Sequence, residues 1–176
     1  MSSSSLEHKR NALKNITFGV VTVSTSKYTL EQSGEKSEDK SGSLIVKILK
    51  AFNYEIAMRS LIPDNPDVIK ESILNLCEKS NIDAIITTGG TGITKNDLTI
   101  ETVSSLFEKD LLGFGEIFRK LSYEEIGSVA ILTRAAAGIR RGKAIFCIPG
   151  SPHAVELAVK KLIVPEISHI LKHCRE

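Results

Sequence analysis

Short β-branched runs alternate with segments of helical periodicity along most of the chain, and this alternation restricts the fold more than any other feature of the sequence. Residues 16–24 (ITFGVVTVS) are nearly all apolar, as a strand covered on both faces by helices must be. Residues 25–41 are polar, can bury little surface and are expected to form a mobile loop. From Ser43 onward, Leu44, Ile45, Ile48, Leu49 and Phe52 share one helical face, and the helix should end near Asn53. A second strand is expected over 54–62. Asn65 then caps a helix with Pro66 and Asp67 in its first turn and Val68, Ile69, Ile73, Leu76 and Cys77 on its apolar face. A third strand follows over 82–88, with helices near 99–107 and over 113–126. Strands over 135–139 and 143–148 form a hairpin around Arg140-Arg141-Gly142, and a last helix starts at Ser151. Right-handed crossovers then give an α/β fold, with a mostly parallel sheet and helices on both sides.

Composition excludes several classes of function. The 23 Lys and Arg residues nearly balance 21 Asp and Glu, and only 5% of residues are aromatic, so neither a basic surface nor a stacking platform for nucleic acid is expected. Cys77, Cys147 and Cys174 are too scattered for a disulfide framework or a zinc site, and Cys147 reads as a core residue, which fits a reducing cytoplasm. His8, His153, His169 and His173 form no ligand pattern for a metal. No segment approaches the roughly 20 apolar residues of a membrane helix. Residues 1–15 lack the apolar stretch of a signal peptide and read as a flexible tail ahead of a single domain over 16–176.

Ligands of a doubly wound sheet bind where loops leave the carboxyl ends of the strands, and four such loops are unusual here. Thr87-Thr88-Gly89-Gly90-Thr91-Gly92 directly follows a strand, and its glycines allow backbone N–H groups to approach a phosphate or a pterin closely. The loop is neither a Walker A motif, since no Gly-Lys-Ser/Thr follows, nor a dinucleotide fingerprint, since Lys95 stands where the third glycine belongs. Asp97 and Glu101, four residues apart, could present oxygen ligands to Mg²⁺ or serve as helix cap and solvated surface; Asp64 could join them from the same edge or simply make a turn. Pro149-Gly150-Ser151-Pro152 sets up a helix N-terminus suited to an anion, or a plain cap. Ser24-Thr25-Ser26 supplies hydroxyls for a ligand or for local turns.

Taken in order, Thr88-Gly89-Gly90-Thr91-Gly92 with Asp97, Gly113-Phe114-Gly115-Glu116 and Pro149-Gly150-Ser151-Pro152 resemble the MoaB/MogA-type molybdopterin-biosynthesis family over residues 16–165. The segment 113–127 and Ala130-Ile131-Leu132-Thr133-Arg134 look closer to the MoaB branch. The resemblance implies a three-layer αβα sandwich that assembles as a homotrimer or homohexamer, binds molybdopterin beside a nucleotide and, in active members, adenylylates molybdopterin with Mg-ATP before a molybdenum-insertion protein takes the product. It implies Asp64, Asp97 and Glu101 as the catalytic acids, with Asp64 and Asp97 on Mg²⁺. Gly89, Gly90, Thr91 and Gly92 would line the pocket, with Ser24, Ser26, Gly150 and Ser151 adding polar contacts. Asp39-Lys40-Ser41-Gly42 matches the family's Asp-x-Ser-Gly. The family often has Arg and Pro where this chain has Asn96 and Ile100, and a non-catalytic molybdopterin carrier or oligomeric scaffold is the alternative expectation.

Overall fold

In the computed structural model, which describes residues 15–176, strand β1 (Thr17–Val23) lies between β2 (Glu55–Ile62) and β3 (Ala84–Thr88), and both are parallel to it. The tail expected over 1–15 falls, apart from Asn15, outside the described residues, as does His8. Further along the chain come β4 (Lys109–Asp110), β5 (Ala136–Arg140) and β6 (Lys143–Ile148), giving the sheet order β2-β1-β3-β6-β5-β4. The β3 and β6 strands pair in parallel, whereas β5 is antiparallel to both its neighbours.

Helices cover both faces of this sheet, and the period-two alternation of each strand feeds both cores. Phe18 and Val20 of β1, Ala84 and Ile86 of β3, and Phe146 and Ile148 of β6 pack on one side. They meet Ile45, Ile48 and Leu49 of α2 (Lys40–Ala51), Phe118 of α5 (Leu112–Ile126) and Val155 of α6 (Pro152–Ala158). Val21, Ile85, Ile145 and Cys147 face the other way, against Ile69, Ile73 and Leu76 of α3 (Pro66–Glu78) and Val103 of α4 (Thr99–Ser104). This is the three-layer arrangement the sequence implied. Truncating a fully buried side chain such as Ile86 to Ala should cost about 2–5 kcal/mol.

The ends of elements follow local chemistry. Asn65 Oδ1 accepts from the N–H groups of Asp67 (3.0 Å) and Val68 (3.2 Å), with Pro66 in the first turn of α3. The β5–β6 hairpin turns on Arg141 (φ 50°) and Gly142 (φ 67°), the two left-handed residues that match the twist of the strands.

Four differences separate the structure from the sequence reading. Thr25–Gln32 is a helix, α1, rather than part of a loop; none of its residues is buried, so no apolar stripe betrayed it. It is held at its start by Thr25, whose N–H and hydroxyl donate to Asp64. Strand β4 has two charged residues and no apolar pattern to read. Val68 and Phe52, expected on apolar faces, are exposed. The last helix is continuous from α6 through a π turn (Val159–Ile163) into α7 (Val164–Cys174), and the wider turn accommodates Pro165, which has no N–H to return to the preceding turn.

Candidate functional site

The carboxyl ends of β1, β2, β3 and β6 meet at one edge, because all four strands run in the same direction. Gly89 follows β3 with φ +93°, and a Cβ there would lie 2.3 Å from the carbonyl oxygen of Val23, the last residue of β1. Only glycine lets the two strand ends approach this closely. Its N–H donates to the carbonyl of Ile148 at the end of β6 (3.2 Å), and the Thr88 hydroxyl donates to the carbonyl of Pro149 (3.0 Å). The glycine-rich loop is thereby locked to the 149–152 segment. The Ser41 hydroxyl in the first turn of α2 also donates to the Gly150 carbonyl, tying a third element to the same place.

Gly89, Gly90, Thr91, Gly92 and Gly150 line one cavity of about 360 Å³ together with Asp97 and Arg134. Volume alone would not select it, since a depression of about 560 Å³ lies at the opposite end of the sheet beside Gly142 and Cys174. Chemistry does select it: this cavity unites a strand-ending glycine loop, a carboxylate and a guanidinium.

Asp97 does not cap α4. The cap position belongs to Leu98, which makes no side-chain cap bond. Asp97 Oδ2 instead accepts from the hydroxyl (2.6 Å) and N–H (2.9 Å) of Thr94, closing a tight loop, while its own N–H donates to the Thr94 carbonyl (3.0 Å). The Thr94 hydroxyl is the largest influence holding this carboxyl below its ordinary value; partial burial works against it, and the N–H groups of Thr94 and Gly92 and the charge of Arg134 add to the lowering. The group is therefore an anion throughout the neutral range.

Asp64 stands at the end of β2. Its Oδ2 accepts from the N–H (2.7 Å) and hydroxyl (2.9 Å) of Thr25, and its Oδ1 faces Gly90, where a Cβ would lie 2.7 Å from it. The expected grouping of acids is only partly realised. Glu101 is ion-paired with Arg134, whose other terminal nitrogen donates to the Gly92 carbonyl (3.0 Å). Ser24 and Ser26 lie side by side at the end of β1, with hydroxyls 3.4 Å apart, outside the cavity lining. Ser151 caps α6 by accepting from the Ala154 N–H (3.2 Å).

Arg134 is the member of this site that reading the residues in order did not single out. It lies 33 residues from Glu101 and 42 from Gly92, so no local spacing could signal the contact. Asp39, by contrast, acts by fixing the start of α2, from which Ser41 reaches Gly150: it caps the helix by accepting from the Gly42 N–H (2.9 Å), and its other oxygen accepts from the Thr22 hydroxyl (2.7 Å) and from Arg59 (2.8 Å). Burial pushes its carboxyl up, but Arg59, Gly42 and Thr22 together outweigh that and hold it below the ordinary range. Cys147 is buried in β6, and desolvation pushes its thiol up to about 12, which fits the core role the sequence assigned to it.

Comparison with known proteins yields three kinds of match. A family profile described as "Probable molybdopterin binding domain" covers residues 19–169. The chain is 47% identical to a probable molybdopterin adenylyltransferase of Methanocaldococcus jannaschii over 96% of its length and 99% of the relative's. It is 44% identical to a molybdopterin adenylyltransferase of Pyrococcus furiosus, over 97% and 98% of the two chains. Among solved structures, the tungsten cofactor synthesizing protein MoaB from Pyrococcus furiosus superposes with a TM-score of 0.82 at 43% identity, covering 94% of this chain and 100% of that one.

Proposed function

We propose, for a chain that belongs to the molybdopterin-binding domain family of molybdenum-cofactor biosynthesis, that it is a molybdopterin adenylyltransferase with a single such domain over residues 16–176. An oxygen of the terminal phosphate of molybdopterin attacks the α-phosphorus of ATP; the bond from that phosphorus to the bridging oxygen of the β-phosphate breaks, and pyrophosphate leaves. The observation that carries this reading is the glycine loop held open between two carboxylates, Asp64 beside Gly90 and Asp97 beside Gly92, at the sheet edge. Such a site positions two phosphorylated molecules and balances charge, and it needs no covalent nucleophile.

Within it, the backbone N–H groups of Gly90 and Thr91 approach phosphate oxygens, those of Gly89 and Gly92 being taken by Ile148 and Asp97, and Arg134, the only cation among the described residues lining the cavity, offsets their charge. Glu101 holds Arg134 and acts through it rather than on the reacting atoms. Asp64 and Asp97 are the residues that would hold Mg²⁺, which when bound neutralises phosphate charge. The described residues contain no group of three or more His, Cys, Asp or Glu that could hold a metal, so phosphate oxygens and water would complete its shell, as is usual for Mg²⁺.

Exposed Ile126, Val129 and Ile131, close in sequence to the exposed Leu132 that lines the cavity, support assembly into a homotrimer or homohexamer. No described helix is long and apolar enough to cross a membrane. On the same proposal the chain works in the cytoplasm, where it passes its product to a molybdenum-insertion protein. The engagement of Glu101 by Arg134, which removes one acid from the reacting centre, favours the carrier or scaffold as the second reading. Incubation with molybdopterin and Mg-ATP decides between them: the enzyme releases pyrophosphate in step with adenylylated pterin, whereas the carrier binds pterin and releases none.

A further inference from the structure

Thr99, the first residue of α4, is fully buried, and its hydroxyl has no hydrogen-bond partner among the described residues. A buried donor left unmade forfeits its hydration with no return, so an unused hydroxyl beside a functional loop calls for a cause. Its backbone is fixed, with the N–H donating to the Gly90 carbonyl (2.9 Å). Gly90 has φ +60°, and the space left by its missing side chain is bounded by two oxygens: Thr99 Oγ1 at 2.3 Å and Asp64 Oδ1 at 2.7 Å from where a Cβ would stand. Thr25 occupies Asp64 Oδ2, and no hydrogen bond among the described residues reaches Oδ1. A donor without an acceptor and a carboxylate oxygen without a described donor thus both border the space a side chain at position 90 would fill.

We infer that Thr99 is a positioning residue for Asp64: its hydroxyl donates to Asp64 Oδ1, so that Thr25 and Thr99 clamp the carboxylate from both sides and aim it at the glycine loop. Both oxygens lie within hydrogen-bonding reach of the same empty volume, so rotation of either side chain would bring them together, and any side chain at position 90 would occupy that volume. Only the catalytic consequence rests on the adenylyltransferase reading; the contact itself does not.

Two measurements test this. The first is a double-mutant cycle on unfolding with Thr99→Val, which keeps the volume and removes the hydroxyl, and Asp64→Ala. The expected result is a roughly tenfold loss in the folding equilibrium constant from Thr99→Val in the natural background and little or no loss beside Asp64→Ala. An equal effect in both backgrounds, or a gain in stability from Thr99→Val, overturns the contact. The second is turnover: Thr99→Val lowers kcat about tenfold with KM for ATP nearly unchanged, and Thr99→Ser restores it. An unchanged kcat, or failure of Ser to rescue, overturns the positioning role. Absence of adenylylation by the natural protein would sink the adenylyltransferase reading, while the cycle still decides the contact.

Discussion

Gly89→Ala separates the two reasons a glycine stands at the head of the loop. The first is conformational, since at φ +93° an L side chain is strained by about 1–2 kcal/mol. The second is steric: the new Cβ would lie 2.3 Å from the Val23 carbonyl oxygen. That atom is main chain in the sheet, so no rotamer change relieves the clash, and overpacking of this kind costs about 1–3 kcal/mol. Together they amount to about 2–5 kcal/mol, a large share of the roughly 5–15 kcal/mol that holds a domain folded. Two other glycines calibrate the terms. Gly34 has φ +80° with nothing within 4 Å of a Cβ, so Gly34→Ala carries the conformational cost alone. Gly113, in the first turn of α5, has neither a positive φ nor a neighbour, and its Ala variant should be neutral or slightly stabilising. Urea unfolding of the three variants should rank them Gly113→Ala, Gly34→Ala, Gly89→Ala in increasing loss of midpoint at constant slope. A Gly89→Ala variant no less stable than Gly34→Ala would refute the steric half, and with it the claim that close approach of β1 and β3 shapes the loop.

Other consequences can be checked directly. Glu101→Gln should cost under about 1 kcal/mol of stability, since the pair is partly exposed, yet raise KM for ATP by loosening Arg134; an unchanged KM would remove Glu101 from the site. Asp39 has a folded-state pKa below its ordinary 3.8, so its stabilisation is fully present above that value and is lost as pH falls through the lower folded one. The gap in unfolding free energy between the natural protein and Asp39→Asn should therefore be widest above about pH 5 and shrink toward pH 2, and denaturant titrations at several pH values would show whether it does. Cys147, with its thiol pushed up to about 12 inside the sheet, should resist alkylation at pH 8 until the protein unfolds, while half-buried Cys174 reacts first; mass spectrometry of labelled peptides reads the order.

What could be read from the sequence was whatever leaves a local pattern. The runs that became β1, β3 and β6 feed two cores and had to be mostly apolar along their length, and Asn65-Pro66 carries its cap in adjacent residues. Helix α1 was missed because it buries nothing, and β4 because two residues cannot show a period. At the site, the glycine loop was legible because φ values of +93° and +60° select glycine by sterics. Asp97 was legible as an important acid but not in its partner, since a Thr94 turn and an α4 cap look alike in one dimension. The Arg134–Glu101 pair and the opposition of Thr99 and Asp64 depend on how distant segments meet, which only the folded chain reveals.

The most direct test of the account is single-turnover conversion of molybdopterin and Mg-ATP to adenylylated molybdopterin by the natural protein and by Asp97→Asn, with pterin binding titrated for both. Asp97 is half-exposed on a loop, so the variant should unfold at nearly the same temperature, bind pterin and form no more than about a hundredth of the product in the time the natural protein takes. Equal product from both proteins, or pterin bound tightly by the natural protein with no product at any Mg²⁺ concentration, would contradict the claim that this loop is an adenylylation site.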